Sequence, residues 1–129
     1  MVFHGISWLQ QKLVEVGVGE DRADTLTRAA GAFMDELRKR EVQAGVIFGH
    51  LPTGRVLHIV TVLSRDNNNP ANRAGLAEIK RAEVAIGRLF NQPPAIHPIC
   101  HSQHRDESTT DLFAKIVPGG TMLGEFFSN

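Results

Sequence analysis

The stretch of sequence that decides the fold class is GVIFGHLPTGRVLHIVTVL, residues 45–63. Its first part, 45–49, is a short apolar run of strand type. Its last part, 55–63, is rich in β-branched residues, and the centre of that run is apolar on both faces, as in a central strand. The proline and glycine of 51–54 indicate a turn, so a hairpin about Thr53 and Gly54 is the simplest connection.

Two amphipathic helices are predicted before this hairpin. Apolar residues recur at three- and four-residue spacing from Ile6 to Val16, and Gly17 and Gly19 end this first helix. The second helix runs from about 21 to 40. Its apolar face consists of Ala23, Leu26, Ala30, Phe33 and Leu37.

A crossover helix and a third strand are predicted after the hairpin. Pro70 can occupy the first turn of a helix that continues to Phe90. The buried stripe of this helix is predicted to contain Ile79, Ala82, Ile86 and Leu89. The segment 95–101 is predicted to be extended, and its Pro98 favours an edge strand or a bulge. Strand, helix and strand make a right-handed βαβ unit.

The C-terminal part of the chain predicts a short helix and a last strand. Ser108 stands three residues before Asp111 and ahead of an apolar run, which is the pattern of a capping box. The segment 118–120 ends that helix, and 122–127 forms the strand. We therefore predict an α/β fold for 1–129, as one domain with a small mixed sheet, a βαβ crossover and flanking helices.

The composition of the chain argues against some classes of partner and indicates a compartment. The 129 residues are 42% hydrophobic and 22% charged, and 14 basic residues balance 14 acidic ones. A neutral chain has no overall field that attracts nucleic acid or an anionic membrane, so we expect neither as a partner. A single cysteine fits a reducing compartment, and neither a signal peptide nor a run of ~18 apolar residues is recognised. We therefore expect a cytoplasmic protein.

Residues that could carry chemistry cluster between His97 and Asp111. They are His97, Cys100, His101, His104, Asp106, Glu107 and Asp111. Neutral imidazole and carboxylate are the usual ligands of a catalytic zinc, which takes three protein ligands and leaves one position for water. A helix cap explains Ser108 and Asp111 equally well, and His97 beside a proline is interpreted as structural. The isolated histidines His4, His50 and His58 are treated as ordinary.

The order of elements, together with these residues, resembles the JAMM (MPN) metalloprotease domain. A helix leads into Glu41 and a strand with Gly45 and Gly49, and CHSQH at 100–104 precedes STTD at 108–111. That family carries an upstream Glu and a downstream His-x-His-Pro and Ser-x-x-Asp. The resemblance covers roughly residues 20–127 and implies an architecture similar to JAMM and cytidine deaminase domains.

By position, the resemblance implies a zinc centre with a base that activates water. The residues that it assigns are the metal ligands His101, His104 and Asp111 and the catalytic residues Glu41 and Ser108. In the family the glutamate activates the zinc-bound water, and the serine helps to hold the oxyanion of the tetrahedral intermediate. The implied cofactor is zinc, and the implied substrate or partner is a protein or peptide.

His104 stands one residue beyond the place of the family's second histidine, which Gln103 occupies. On a regular strand this shift points His104 to the opposite face, and a bulge at 102–103 would turn it back. Two interpretations therefore stay open. One is a zinc-dependent hydrolase of peptide or isopeptide bonds; the other is a non-catalytic interaction or scaffold domain of the same shape, which could form a homodimer. A small α/β fold unrelated to either is a third.

Overall fold

The computed structural model describes residues 6–63, 70–100 and 108–127. Its elements in chain order are α1 (Trp8–Glu15), α2 (Glu20–Lys39), β1 (Ala44–His50), β2 (Leu57–Leu63), α3 (Pro70–Gly87), β3 (Ala95–Cys100), α4 (Thr109–Ile116) and β4 (Thr121–Phe127). The strands form one sheet in the order β3-β2-β1-β4. β1 is antiparallel to β2 and β4, and β2 is parallel to β3 across the α3 crossover. The predicted α/β class, mixed sheet and βαβ crossover are confirmed.

Helices α1, α2 and α3 cover one face of the sheet. Their apolar stripes have the 3.6-residue period of helices that bury one side. The shared core includes Leu9, Leu13, Leu26, Phe33, Ile79 and Ile86 from the helices and Val46, Phe48 and Ile59 from the sheet. The rings of Trp8 and Phe48 meet edge to face, with centroids 5.9 Å apart and planes at 80°, an arrangement that favours aromatic pairs beyond their burial.

The opposite face of the sheet is covered by α4, a helix of 8 residues. The second core cluster joins this helix to one residue of β1 and two residues of β2. It consists of Ile47, Val60, Val62, Leu112, Phe113 and Val117. Because both faces are covered, all seven residues of β1 are buried. Gly49 is the point of closest approach, since a Cβ atom there would lie 1.9 Å from the Phe113 ring.

The third helix ends earlier than its apolar pattern predicts. α3 stops at Gly87, and the backbone N–H groups of Leu89 and Phe90 both donate to the carbonyl oxygen of Ile86 in a tight turn. The prediction that Leu89 is buried is therefore wrong: its exposed fraction is 72%. Once the helix stops, Leu89 no longer follows the stripe of Ile79 and Ile86, and Phe90 packs against the core in its place.

Pro98 lies in an edge strand, as predicted. β3 pairs with β2 along one side, and Pro98 stands opposite Thr61 in that ladder. A proline has no N–H to donate to a neighbouring strand. Prolines within sheets are therefore found mainly in edge strands, where one side of the backbone has no partner strand. The Thr61 hydroxyl lies on the face that α1, α2 and α3 cover. It is fully buried and has no hydrogen-bond partner within the described ranges.

We expect Gly49→Ala to lower the free energy of unfolding by about 1–3 kcal/mol, because the new methyl group would overlap the Phe113 ring. Gly87→Ala is the matched control, since a Cβ atom there has nothing within 4 Å. Urea denaturation measures both variants. Equal stability of the two variants would show that Phe113 does not rest on Gly49.

We expect Thr61→Val to raise the free energy of unfolding by about 1 kcal/mol, because it replaces a buried hydroxyl that lacks a partner by a methyl group of the same shape. The reverse substitution one residue earlier, Val60→Thr, introduces such a hydroxyl and should destabilise. Thermal denaturation of both variants checks the pair. A destabilised Thr61→Val variant would mean that the hydroxyl has a hydrogen-bond partner after all.

Candidate functional site

Strand register brings the start of β1 and the end of β3 to the same end of the sheet. Ala44 pairs with Leu63, and Leu63 pairs with Cys100. Neighbouring strands lie about 4.8 Å apart, so the backbones of Ala44 and Cys100 are separated by about 10 Å across β2. We call this the Cys100 end of the sheet. The chain enters it through Glu41 and leaves it toward residue 101.

Glu41 has a left-handed backbone conformation, with φ 57°. It follows Arg40, the last residue of the α2 cap, and its N–H donates to the Arg38 carbonyl oxygen at 3.0 Å. The next N–H, of Val42, donates to the Leu37 carbonyl oxygen at 2.9 Å. These two bonds form a Schellman motif, in which the left-handed position is normally a glycine. The Glu41 side chain is exposed, and its backbone strain is about 1–2 kcal/mol.

The end of α1 shows the same motif with the expected residue. Gly17 has φ 100°, and the N–H groups of Gly17 and Val18 donate to Val14 and Leu13. Glu41 therefore occupies, at the end of α2, the left-handed position that Gly17 occupies at the end of α1. The sequence contains no signal for it, since a glutamate predicts a continuing helix more than a helix end.

Arg40 connects the end of α2 to α3 through an ion pair with Glu78. Its guanidinium lies 3.3 Å from the Glu78 carboxylate and 3.6 Å from that of Glu36. Hydrogen bonding from Arg81, and to a smaller extent from Arg40, lowers the pKa of Glu78, so the bridge stays charged at neutral pH. The backbone just before Glu41 is therefore held from both helices.

Ser108 caps α4, as the capping prediction requires. Its backbone is extended, and its Oγ accepts a hydrogen bond of 3.1 Å from the Asp111 backbone N–H. This bond uses one acceptor site of the hydroxyl and leaves its O–H free to donate. The Asp111 side chain is exposed in the first turn of the helix, and no ion pair within the described ranges includes it.

Two of the predicted metal ligands, His101 and His104, lie outside the described residues. The described part of the chain therefore contains Glu41, Ser108 and Asp111 of the predicted site. Within 6–63, 70–100 and 108–127, no group of three or more histidine, cysteine or acidic side chains is arranged to hold a metal ion. Cys100 is a free cysteine and is buried, as a small hydrophobic residue would be.

A histidine pair that the sequence interpretation missed lies at the other end of the sheet. His58 Nδ1 and His97 Nε2 are 2.9 Å apart, and the two rings are nearly parallel, at 10°, with centroids 5.2 Å apart. The facing nitrogens are much closer than the ring centres, so the rings meet edge to edge. The register explains the contact: His58 pairs with Ala95 and His97 with Val60, so the two side chains are diagonal neighbours on one face.

A backbone carbonyl determines the tautomer of His58. Its Nε2 lies 2.9 Å from the Arg55 carbonyl oxygen, which can only accept, so Nε2 carries the proton and donates. In the neutral ring the lone pair is then on Nδ1, the atom that faces His97. Arg55 is itself held, because its guanidinium donates to the carbonyl oxygens of Pro93 and Pro94.

Burial lowers the pKa values of three histidines at this end of the sheet. His58 and His97 are both lowered below the ordinary value of 6.5, chiefly by desolvation; in His97 the neighbouring His58 adds to the effect and Glu83 opposes it. His50, which is buried, is lowered by desolvation and by His58. All three therefore favour the neutral form near pH 7.

No family model matches this sequence, and no curated protein or solved structure matches it either. None of the helices within the described ranges combines the length and the apolar composition that crossing a bilayer requires.

We expect the free energy of unfolding to fall as the pH is lowered from about 8 to about 5. The folded pKa values of His50, His58 and His97 lie below 6.5. The stability that their neutral forms contribute is thus fully present above pH 6.5 and is lost as the pH falls through the folded pKa values, because the unfolded chain binds more protons there. Urea midpoints across this range measure the slope. The variant His58→Gln/His97→Gln should give a flatter profile, and an unchanged slope would contradict the assignment.

Proposed function

We propose that this protein is a JAMM-like, zinc-dependent hydrolase of peptide or isopeptide bonds. The observation that carries the proposal is the left-handed Glu41 at the Cys100 end of the sheet, the end at which β3 passes into the segment that contains His101 and His104. Strained non-glycine backbone concentrates at functional sites, where the surrounding structure maintains it. The α2 motif and the Arg40 bridge supply that support.

The donor set fits zinc. Two imidazoles and one carboxylate are a common ligand set of catalytic zinc, and the exposed Asp111 carboxylate has no ion-pair partner among the described residues. A zinc ion bound there would lower the pKa of a water molecule to near ~7 and polarise the scissile carbonyl group. His101, His104 and Asp111 would hold the ion.

Glu41 and Ser108 would carry out the proton transfer and the stabilisation of the oxyanion. The Glu41 carboxylate takes a proton from the attacking water and delivers it to the leaving amine. The Ser108 hydroxyl, whose acceptor site is occupied by the helix cap, donates its free O–H to the developing oxyanion. The cap is compatible with this role, because it fixes the Ser108 oxygen and leaves the proton available.

A specific observation favours a second function, a non-catalytic interaction or scaffold domain of the same shape. Helix capping alone accounts for Ser108 and for the backbone of Asp111. The sequence also has Gln103 where the JAMM pattern has its second histidine. Such a domain would bind a protein partner or a second copy of itself and would require no zinc.

Glu41→Gln and Glu41→Gly separate the catalytic role of the carboxylate from its backbone strain. We expect both variants to reduce the hydrolysis of fluorogenic peptide and isopeptide substrates by about 10²–10⁴-fold, since both remove the base. Glu41→Gly should also raise the free energy of unfolding by about 0.5–1 kcal/mol, because glycine adopts φ 57° without strain. Full activity of Glu41→Gln would exclude Glu41 as the base.

Elemental analysis of the purified chain tests the metal. We expect one zinc per chain that is retained through dialysis, and this zinc should be lost in His101→Ala and in Asp111→Ala. The Asp111 backbone N–H remains in the alanine variant, so the α4 cap and the fold should persist. Glu20→Gln, a substitution of an exposed acid in the first turn of α2, is the matched control and should retain zinc. A folded wild-type chain without zinc, together with a dimer in light scattering, would favour the scaffold function.

A further inference from the structure

The pair formed by His58 and His97 lies at the end of the sheet opposite Glu41, near the start of β2 and β3. Both side chains are half-buried on the face that α4 covers, and His97 belongs to an edge strand. We propose that these two imidazoles form a binding site for a divalent transition-metal ion of the zinc, nickel and copper class. This inference goes beyond the proposed hydrolase and does not depend on it.

The tautomer of His58 is the one that a metal ligand requires. Its Nε2–H is directed to the Arg55 carbonyl oxygen, so the Nδ1 lone pair points at His97. Metal-binding histidines almost always donate their other ring N–H to a carbonyl or carboxylate, which fixes the ring and makes the free nitrogen more basic. The Arg55 carbonyl thus acts toward His58 as an outer partner acts in known metal sites.

In the absence of a metal, a proton bridges the two rings. His97 Nε2–H donates to His58 Nδ1 across 2.9 Å. Two zinc–nitrogen bonds of about 2.0–2.1 Å at a tetrahedral angle set their nitrogens about 3.3 Å apart. For an ion to bind between them, the two nitrogens have to separate by about 0.4 Å, and each ring has to tilt so that its lone pair is directed at the ion. The His97 proton leaves Nε2 and is replaced by one on Nδ1 through solvent, so the ring stays neutral.

Protonation does not compete with the ion near neutral pH. Burial keeps the pKa values of His58 and His97 below 6.5, so both rings have lone pairs at pH 7. Beyond the effect of burial, the neighbouring charges act in opposite directions. The positive charge of Arg55 lowers the pKa of His58 and so disfavours a cation there, whereas Glu83 on α3 carries a negative charge that raises the pKa of His97 and favours one.

The ligand type determines which ions bind. Imidazole suits zinc, copper and nickel, whereas magnesium and calcium prefer oxygen. Two protein ligands leave several coordination positions to water, and the half-exposed pair gives water access. Copper(II) binds most tightly in this series, so it is the best probe.

The test uses the full chain with His101→Ala and Asp111→Ala, which removes two of the three ligands of the proposed hydrolytic centre. We expect copper(II) to bind this double variant at one site in calorimetric titration, and we expect its electron paramagnetic resonance spectrum to show two nitrogen ligands. Adding His58→Gln or His97→Gln should weaken binding by more than about tenfold, since even outer-partner substitutions cost 10–100-fold. Magnesium should not bind.

His4→Gln is the control for non-specific binding to histidine and should leave the titration unchanged. Circular dichroism verifies folding, and if His58→Gln unfolds, the edge-strand variant His97→Gln carries the test alone. Copper binding that survives in folded His97→Gln would overturn the inference, and so would the absence of copper binding to the double variant. A wild-type chain without zinc or hydrolytic activity would refute the proposed hydrolase and leave this result unaffected.

Discussion

The contact of the Phe113 ring with the backbone of Gly49 determines how closely α4 approaches the sheet. Because glycine has no side chain, a short helix can cover the face of β1 that the other three helices leave open. β1 is then buried along its whole length and hydrogen-bonded on both sides. A register slip of one residue would exchange its two buried faces, so both neighbouring strands are fixed in place.

The fixed register places chemical groups at both ends of the sheet. At one end, the register places the start of β1, which follows Glu41 in sequence, and the end of β3 in one row across β2. At the other end, the parallel pairing of β2 with β3 makes His58 and His97 diagonal neighbours. Neither site belongs to one element.

Local patterns predicted the elements, the hairpin and the βαβ crossover, but contacts between individual side chains on different strands were not predicted. The apolar stripe of α2 predicted the burial of Phe33 without knowledge of what packs against it. The proline in β3 predicted the edge position of that strand without knowledge of its neighbour. The His58–His97 contact requires the register of two strands whose histidines are 39 residues apart, and no single-strand pattern contains that register. Leu89 continues the α3 stripe in sequence, but the turn after Gly87 removes it from the helix.

The two proposed functions differ in the role that they give to the Glu41 carboxylate. Its backbone conformation is about 1–2 kcal/mol less favourable than a glycine would be there, as the glycine at the end of α1 illustrates. In the proposed hydrolase this strain would fix the backbone of an exposed carboxylate that acts as the base. In the proposed scaffold domain the carboxylate has no assigned role, and helix capping explains Ser108 equally well in both.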